Sequence, residues 1–129
     1  MIGRAWIWGP AIAQMAAIFF LSSQESLPSL PGGLTDYTGH FIGYALLGVL
    51  VLRGLAGASW RGVTPRAGWL AVVAASAYGV TDEVHQMFVP GRSATVEDWV
   101  ADTLGALAGV LLARAAARLL QQGDRRRDV

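Results

Sequence analysis

Four apolar segments carry their acids at one set of ends and their arginines at the other. They run over about residues 5–22, 39–57, 67–88 and 98–120. Crossing ~30 Å of hydrocarbon takes about 20 apolar residues, and the first segment sits at the short end of that range. Backbone groups in lipid must pair within their own segment, so helices are the expected form. The chain is 53% hydrophobic and only 15% charged, less charge than soluble domains of this size carry. The expected fold is all-α: a polytopic membrane protein of four transmembrane helices, arranged as two antiparallel hairpins in a single domain over residues 1–129.

Orientation follows from the arginines, since there is no lysine. Arg4 precedes the first segment. Arg53, Arg61 and Arg66 surround the second connection, and Arg114, Arg118 and Arg125–Arg127 end the chain. Only Arg92 lies in the first or third connection. The positive-inside rule places both termini in the cytoplasm, so the first and third connections face outward. The net charge of +1 carries little information, because the charges are segregated. With no cysteine, disulfides and thiolate metal sites are excluded. Leu21-Ser22-Ser23 is a poor cleavage site, and the first segment is expected to be a retained helix.

Within the segments, Trp6 and Trp8 suit an interfacial belt. Pro10 falls early, where a missing N–H costs least. Gln14 is read as an interhelical hydrogen-bonding residue. Gly39 and Gly43 allow close helix contact, as do Ala101, Gly105, Gly109, Ala113 and Ala117. Thr95-x-x-Asp98 is a capping-box pattern opening the last segment. The arginine run at the C-terminus reads as a solvated tail.

The polar clusters at the outward ends are Ser22-Ser23-Gln24, Asp36-x3-His40-x3-Tyr44, Asp82-Glu83-x-His85-Gln86 and Asp98-x3-Asp102. Residues three or four apart share a helix face, so Asp36, His40 and Tyr44 align, and Asp98 and Asp102 join the glycine stripe that faces another helix. An acid at membrane depth costs several kcal/mol, about 3 on insertion scales, and needs partners. Arg92 is placed to bridge Glu83 and Asp98, or to hold a phosphate or carboxylate.

The candidates for chemistry are Glu83 as base, His40 as its acid–base partner, and Asp98. Two have a plainer reading: His40 as a cap of the second segment or a partner of Asp36, Asp98 as a helix cap. Asp36, Tyr44, Gln86, Arg92, Ser23, Gln24 and Asp102 are candidate binding residues. The plainer reading makes Asp36 a helix-start acid, Tyr44 an interfacial tyrosine, and Ser23 and Gln24 backbone-satisfying groups at a helix end. His85 reads as an interfacial histidine. No resident cofactor is expected. A divalent metal held by some of His40, His85, Glu83 and Asp82 is the secondary option.

This succession of clusters resembles the VanZ-like membrane proteins over nearly the whole chain. Its most specific part is Glu83-x-x-Gln86-x3-Pro90-Gly91-Arg92. The resemblance implies a four-helix protein of the bacterial cytoplasmic membrane; the founding member is tied to teicoplanin resistance. It implies no reaction. Two departures stand out. Tyr37 occupies a place where many members carry lysine, and Asp102 one where asparagine is common. Both make the outer site more acidic.

Three functions fit. One is a non-catalytic envelope protein whose outward pocket binds a lipid, a lipid-linked wall precursor or a lipophilic glycopeptide. Another is an intramembrane hydrolase or transferase acting on a lipid-linked head group. In the third, the polar ends only lock the helices together. Nucleic acid is not an expected partner, since the sole arginine run is short.

Overall fold

All four apolar runs fold as helices, and the chain is an antiparallel bundle. The computed structural model describes residues 3–28, 31–33 and 35–127. Its helices are α1 (Arg4–Ser22), α2 (Asp36–Leu55), α3 (Pro65–Gln86) and α4 (Val96–Arg127). Short 3₁₀ turns at Pro31–Gly33 and Trp60–Gly62 lie in the first two connections, and no strand occurs among the described residues. Ser29, Leu30 and Leu34 of the expected first loop lie outside the described residues, as does the side chain of Arg127 in the basic tail.

Helices α1, α2 and α4 are long and apolar enough to cross a membrane. Helix α3 has the length, 22 residues, but is not among those three. Its last turns carry Thr81, Asp82, Glu83, His85 and Gln86, and alanine and glycine stand where leucine would raise the hydropathy. Those small residues let α3 pack deeply: Ala71 and Ala75 are fully buried. Helix α4 runs on to Arg127 instead of ending near residue 120. Glutamine and arginine are good helix formers, and two contacts hold the extension. Arg61 Nη2 donates to Asp124 Oδ2 at 2.7 Å, and Gln121 Nε2 donates to the Trp60 carbonyl at 3.0 Å.

Burial is reversed relative to a water-soluble fold. Phe20, Trp69, Leu112 and Leu119 are exposed, while Asp82, Glu83, Gln86, Asp98 and Asp102 are buried. Exposed apolar area spread over every helix fits a lipid surround. The interior is knit by hydrogen bonds as well as by apolar contact. Gln14 Nε2 donates to the Gly43 carbonyl at 3.0 Å, Tyr78 Oη to the Met15 carbonyl at 2.7 Å, and Ser76 and Thr103 share a hydroxyl bond of 2.8 Å.

Pro10 lies inside α1, in its second turn, deeper than the sequence alone suggests. Without an N–H it leaves the Trp6 carbonyl free of its usual i+4 donor. Arg53 supplies the replacement: its Nη1 donates to the carbonyls of Trp6 and Ile7, each at 2.8 Å. The guanidinium also stacks over the Trp6 ring. Arg53 therefore has a structural task besides its place in the charge pattern.

The closest helix approach is between α2 and α4. A Cβ on Gly105 or Gly109 would run into the Phe41 or Ala45 carbonyl, and one on Gly48 would lie 2.9 Å from the Ala106 carbonyl. The stripe on α4 therefore acts as expected. On α2 the contact falls at Gly48 rather than at Gly43, where an added Cβ meets nothing within 4 Å.

Candidate functional site

The acidic ends of α2, α3 and α4 meet at one end of the bundle, and the local sequence explains how each side chain arrives. Asp36 opens α2, which favours an acid in its first turn. His40 and Tyr44 follow one and two turns later on the face toward α3 and α4. The chain after α3 turns at Val89–Arg92, where Arg92 N bonds the Val89 carbonyl at 3.1 Å and Gly91 has φ 78°. Proline then glycine in the middle of such a turn is the type II pattern. It directs Arg92 back toward α2.

Helix α4 starts with the expected Thr95 cap, whose Oγ1 accepts from Asp98 N at 3.1 Å. The reciprocal half of the capping box comes from another helix. Thr95 N donates to Glu83 Oε2 at 2.9 Å. Asp98 is thereby released from capping, and its carboxylate is left to face His40.

His40 is the centre of the cluster. Its Nδ1 donates to Asp102 Oδ1 at 2.8 Å, and Nε2 lies 4.0 Å from Asp98 Oδ1. One ligand-type atom from each of His40, Glu83 and Asp98 falls within 4.8 Å of the others. Asp102 is wholly buried, and its Oδ2 is the atom a Cβ on Gly79 would touch at 2.9 Å. Deeper in, Tyr44 Oη donates to Asp82 Oδ2 at a long 3.5 Å. Four buried polar atoms have no hydrogen-bond partner among the described residues: Asp82 Oδ1, Glu83 Oε1, Gln86 Nε2 and Asp102 Oδ2.

A cavity of about 320 Å³ opens beside this cluster, lined by Thr35, Asp36, Tyr37, His40, Gln86, Gly91, Arg92, Ser93, Thr95 and Asp98. Next to it, an apolar groove of about 830 Å³ runs between α2 and α4, lined by Tyr37, Thr38, Phe41, Val96, Glu97, Val100, Ala101 and Leu104. Tyr37 borders both.

Of the residues singled out from the sequence, Asp36, His40, Gln86, Arg92 and Asp98 line the cavity, and Glu83, Asp102 and Tyr44 stand behind it. Ser23 and Gln24 do not join them. Ser23 Oγ donates to the Phe19 carbonyl at 2.6 Å, and Gln24 Nε2 to the Phe20 carbonyl at 3.0 Å. Ser22 and Ser23 also flank the ring of His85, which stacks on Phe19 with centroids 4.2 Å apart. Arg92 makes no bridge between Glu83 and Asp98. Its Nη2 donates instead to Gln86 Oε1, at 3.5 Å. His40 bonds across to α4 rather than to Asp36 on its own helix. The sequence reading does not name Thr35 or Ser93 as site residues, and it marks Tyr37 only as a departure from the family pattern. Their adjacency to Asp36 and Arg92 was the available signal.

The sequence pattern of the VanZ/LLP1 family matches residues 11–119, which covers most of the chain and includes every helix end that builds the cluster. Among curated proteins and solved structures, none matches the chain. With three helices of membrane-crossing length and apolarity and a family match of this extent, the chain is a membrane protein that belongs to the VanZ/LLP1 family.

Proposed function

We propose that the protein crosses the bacterial cytoplasmic membrane four times with both termini inside. Its outward end binds an amphiphile, with the polar head in the 320 Å³ cavity and the apolar part along the α2–α4 groove. The observation that carries this reading is that the polar cavity and the apolar groove lie side by side and share Tyr37. A lipid, a lipid-linked wall precursor and an acylated glycopeptide all have that division. Capture of the last would link the protein to teicoplanin resistance. The fourth span is α3, whose Asp82, Glu83 and Gln86 are buried in the bundle instead of meeting lipid. Helices that are only locked together would satisfy their polar atoms, and the orphaned buried atoms speak for a site that is completed by something else.

Native mass spectrometry of the protein released from membranes tests the reading. One amphiphile per chain should be retained by the wild type. Val100→Trp, which fills the groove from an exposed position off the small-residue stripe, should lower retention at least tenfold, about 1.4 kcal/mol. Retention that merely mirrors bulk membrane lipid in both proteins would rule the binding site out.

The enzymatic alternative rests on Glu83 and His40 standing within reach of one point. It predicts an envelope lipid species that appears or disappears with the wild type and not with Glu83→Gln at matched membrane levels.

A further inference from the structure

We infer that His40, Glu83 and Asp98 form a binding site for a divalent transition-class cation such as Zn²⁺ or Mn²⁺. The site lies at the inner wall of the cavity, with its remaining coordination positions turned toward the cavity.

Negative charge at this end of the bundle is poorly balanced. Four carboxyl groups are buried at this end, those of Asp82, Glu83, Asp98 and Asp102. Among the described residues the only basic side chain within 4.0 Å of any of them is a single imidazole, that of His40. Arg92 points at Gln86 instead. Uncompensated buried acids are costly, and such groups are normally paired or bound to a metal. Glu83 is 8% exposed, yet its Oε1 has no hydrogen-bond partner among the described residues. Its Oε2 is held by Thr95 N, so the carboxylate is fixed in place with a free oxygen.

Histidine geometry points the same way. Nδ1 is bonded to Asp102, so in the neutral imidazole the lone pair is on Nε2, which faces Asp98 Oδ1 at 4.0 Å. Two acceptors face each other across a gap too long for a shared proton, which would draw them to about 2.7–2.9 Å. Ligands at ~2.0–2.2 Å from a zinc-type ion lie at most about 4.4 Å apart, and about 3.4 Å in a tetrahedron. The observed 4.0 Å falls in that window, and the other separations, within 4.8 Å, must close by up to about 0.4 Å to enter it and by up to about 1.4 Å to reach tetrahedral spacing. A ligating histidine whose other nitrogen donates to a carboxylate is the usual outer-shell arrangement of metal sites. One nitrogen and two carboxylate ligands suit Zn²⁺ or Mn²⁺ better than the oxygen-only preference of Mg²⁺ or Ca²⁺.

The cation also changes what the cavity accepts. Its lining includes Asp36 and Asp98 against Arg92 alone, a poor host for an anionic head group. A divalent ion with open positions would take a phosphate or carboxylate oxygen there. That second part rests on the amphiphile reading above; the metal site itself stands on the residue geometry.

The full chain, purified without a histidine tag and stripped with chelator, would be titrated with Co²⁺ as a spectroscopic probe. Visible ligand-field bands should saturate at one ion per chain, with a rise in Tm as ion is added. His40→Gln, Glu83→Gln and Asp98→Asn should each weaken binding at least tenfold, while Asp124→Asn at the other end of α4 should not. The inference is overturned if the stripped wild type shows neither saturable bands nor a Tm shift, whether or not the variants fold. It is also overturned if folded His40→Gln and Glu83→Gln bind Co²⁺ as the wild type does. Repeating the amphiphile measurement on stripped protein separates the two proposals. Amphiphile retained with no ion bound sinks the metal site alone. Ion bound with no amphiphile retained in either form sinks the ligand reading alone.

Discussion

Gly105→Leu should prevent the folded bundle from accumulating, and even Gly105→Ala should cost more than about 3 kcal/mol, the upper end of ordinary overpacking. Between helices in lipid, close packing replaces the hydrophobic effect as the main source of association. The α2–α4 contact is built on that packing. Gly105 abuts the Phe41 carbonyl and Gly109 the Ala45 carbonyl, and the obstacles are backbone atoms that cannot rotate away. A methyl group at residue 105 must separate the helices, which also pulls His40 from Asp102, since those residues sit one turn or less from the contact. Thermal unfolding in mild detergent checks this. Gly43→Ala is the control: nothing lies within 4 Å of its added Cβ, and alanine is the better helix former by up to ~1 kcal/mol. Its Tm should be unchanged or slightly higher. Similar Tm values for Gly43→Ala and Gly105→Ala would contradict the packing.

His40→Ala carries the second large effect. Asp102 is fully buried, and His40 is its one hydrogen-bond partner among the described residues. Removing one member of a buried pair typically costs 3–5 kcal/mol, because the other is left unpaired. Asp102→Ala should cost less, since the imidazole it leaves behind borders the cavity and can be solvated there. The double variant should fall short of the sum by at least about 1 kcal/mol, within the usual range for residues in contact. Additive losses would show that the two side chains are not coupled. At the end of α3, Glu83→Gln should keep the Thr95 N–H bond through its amide oxygen, which makes it a milder probe of the same end.

Much of this architecture is legible in the chain because bilayer length and helix caps are local properties. The four apolar runs mark the helices within three residues, except where α4 continues to Arg127, and Thr95 marks the start of α4. Gln14 finds the interhelical bond its isolation in an apolar run implies. The partners at the acidic end are not legible, because they are set by how the helices rotate against one another. His40 stands one turn from Asp36, yet bonds Asp102 on a different helix. Glu83 completes a cap whose sequence pattern belongs to Thr95 and Asp98. Ser22 and Ser23 sit against His85, a pairing across more than sixty positions that spacing cannot suggest. The deep packing of α3 is also a tertiary result: its alanines and glycines lower its hydropathy and at the same time admit it between the other helices. Pro10 shows the converse, a local break whose remedy, Arg53, comes from another helix.

In the proposed topology the acidic end, with its cavity, faces outward. The chain has no cysteine, so single cysteines report on topology without background. Ser93 lines the cavity and is exposed, and Gln122 is exposed near the other end of α4. In intact cells, a membrane-impermeant maleimide should label Ser93→Cys and should leave Gln122→Cys unlabelled until the membrane is opened. Labelling of Gln122→Cys in intact cells, with Ser93→Cys protected, would invert the protein and remove the outward-facing site.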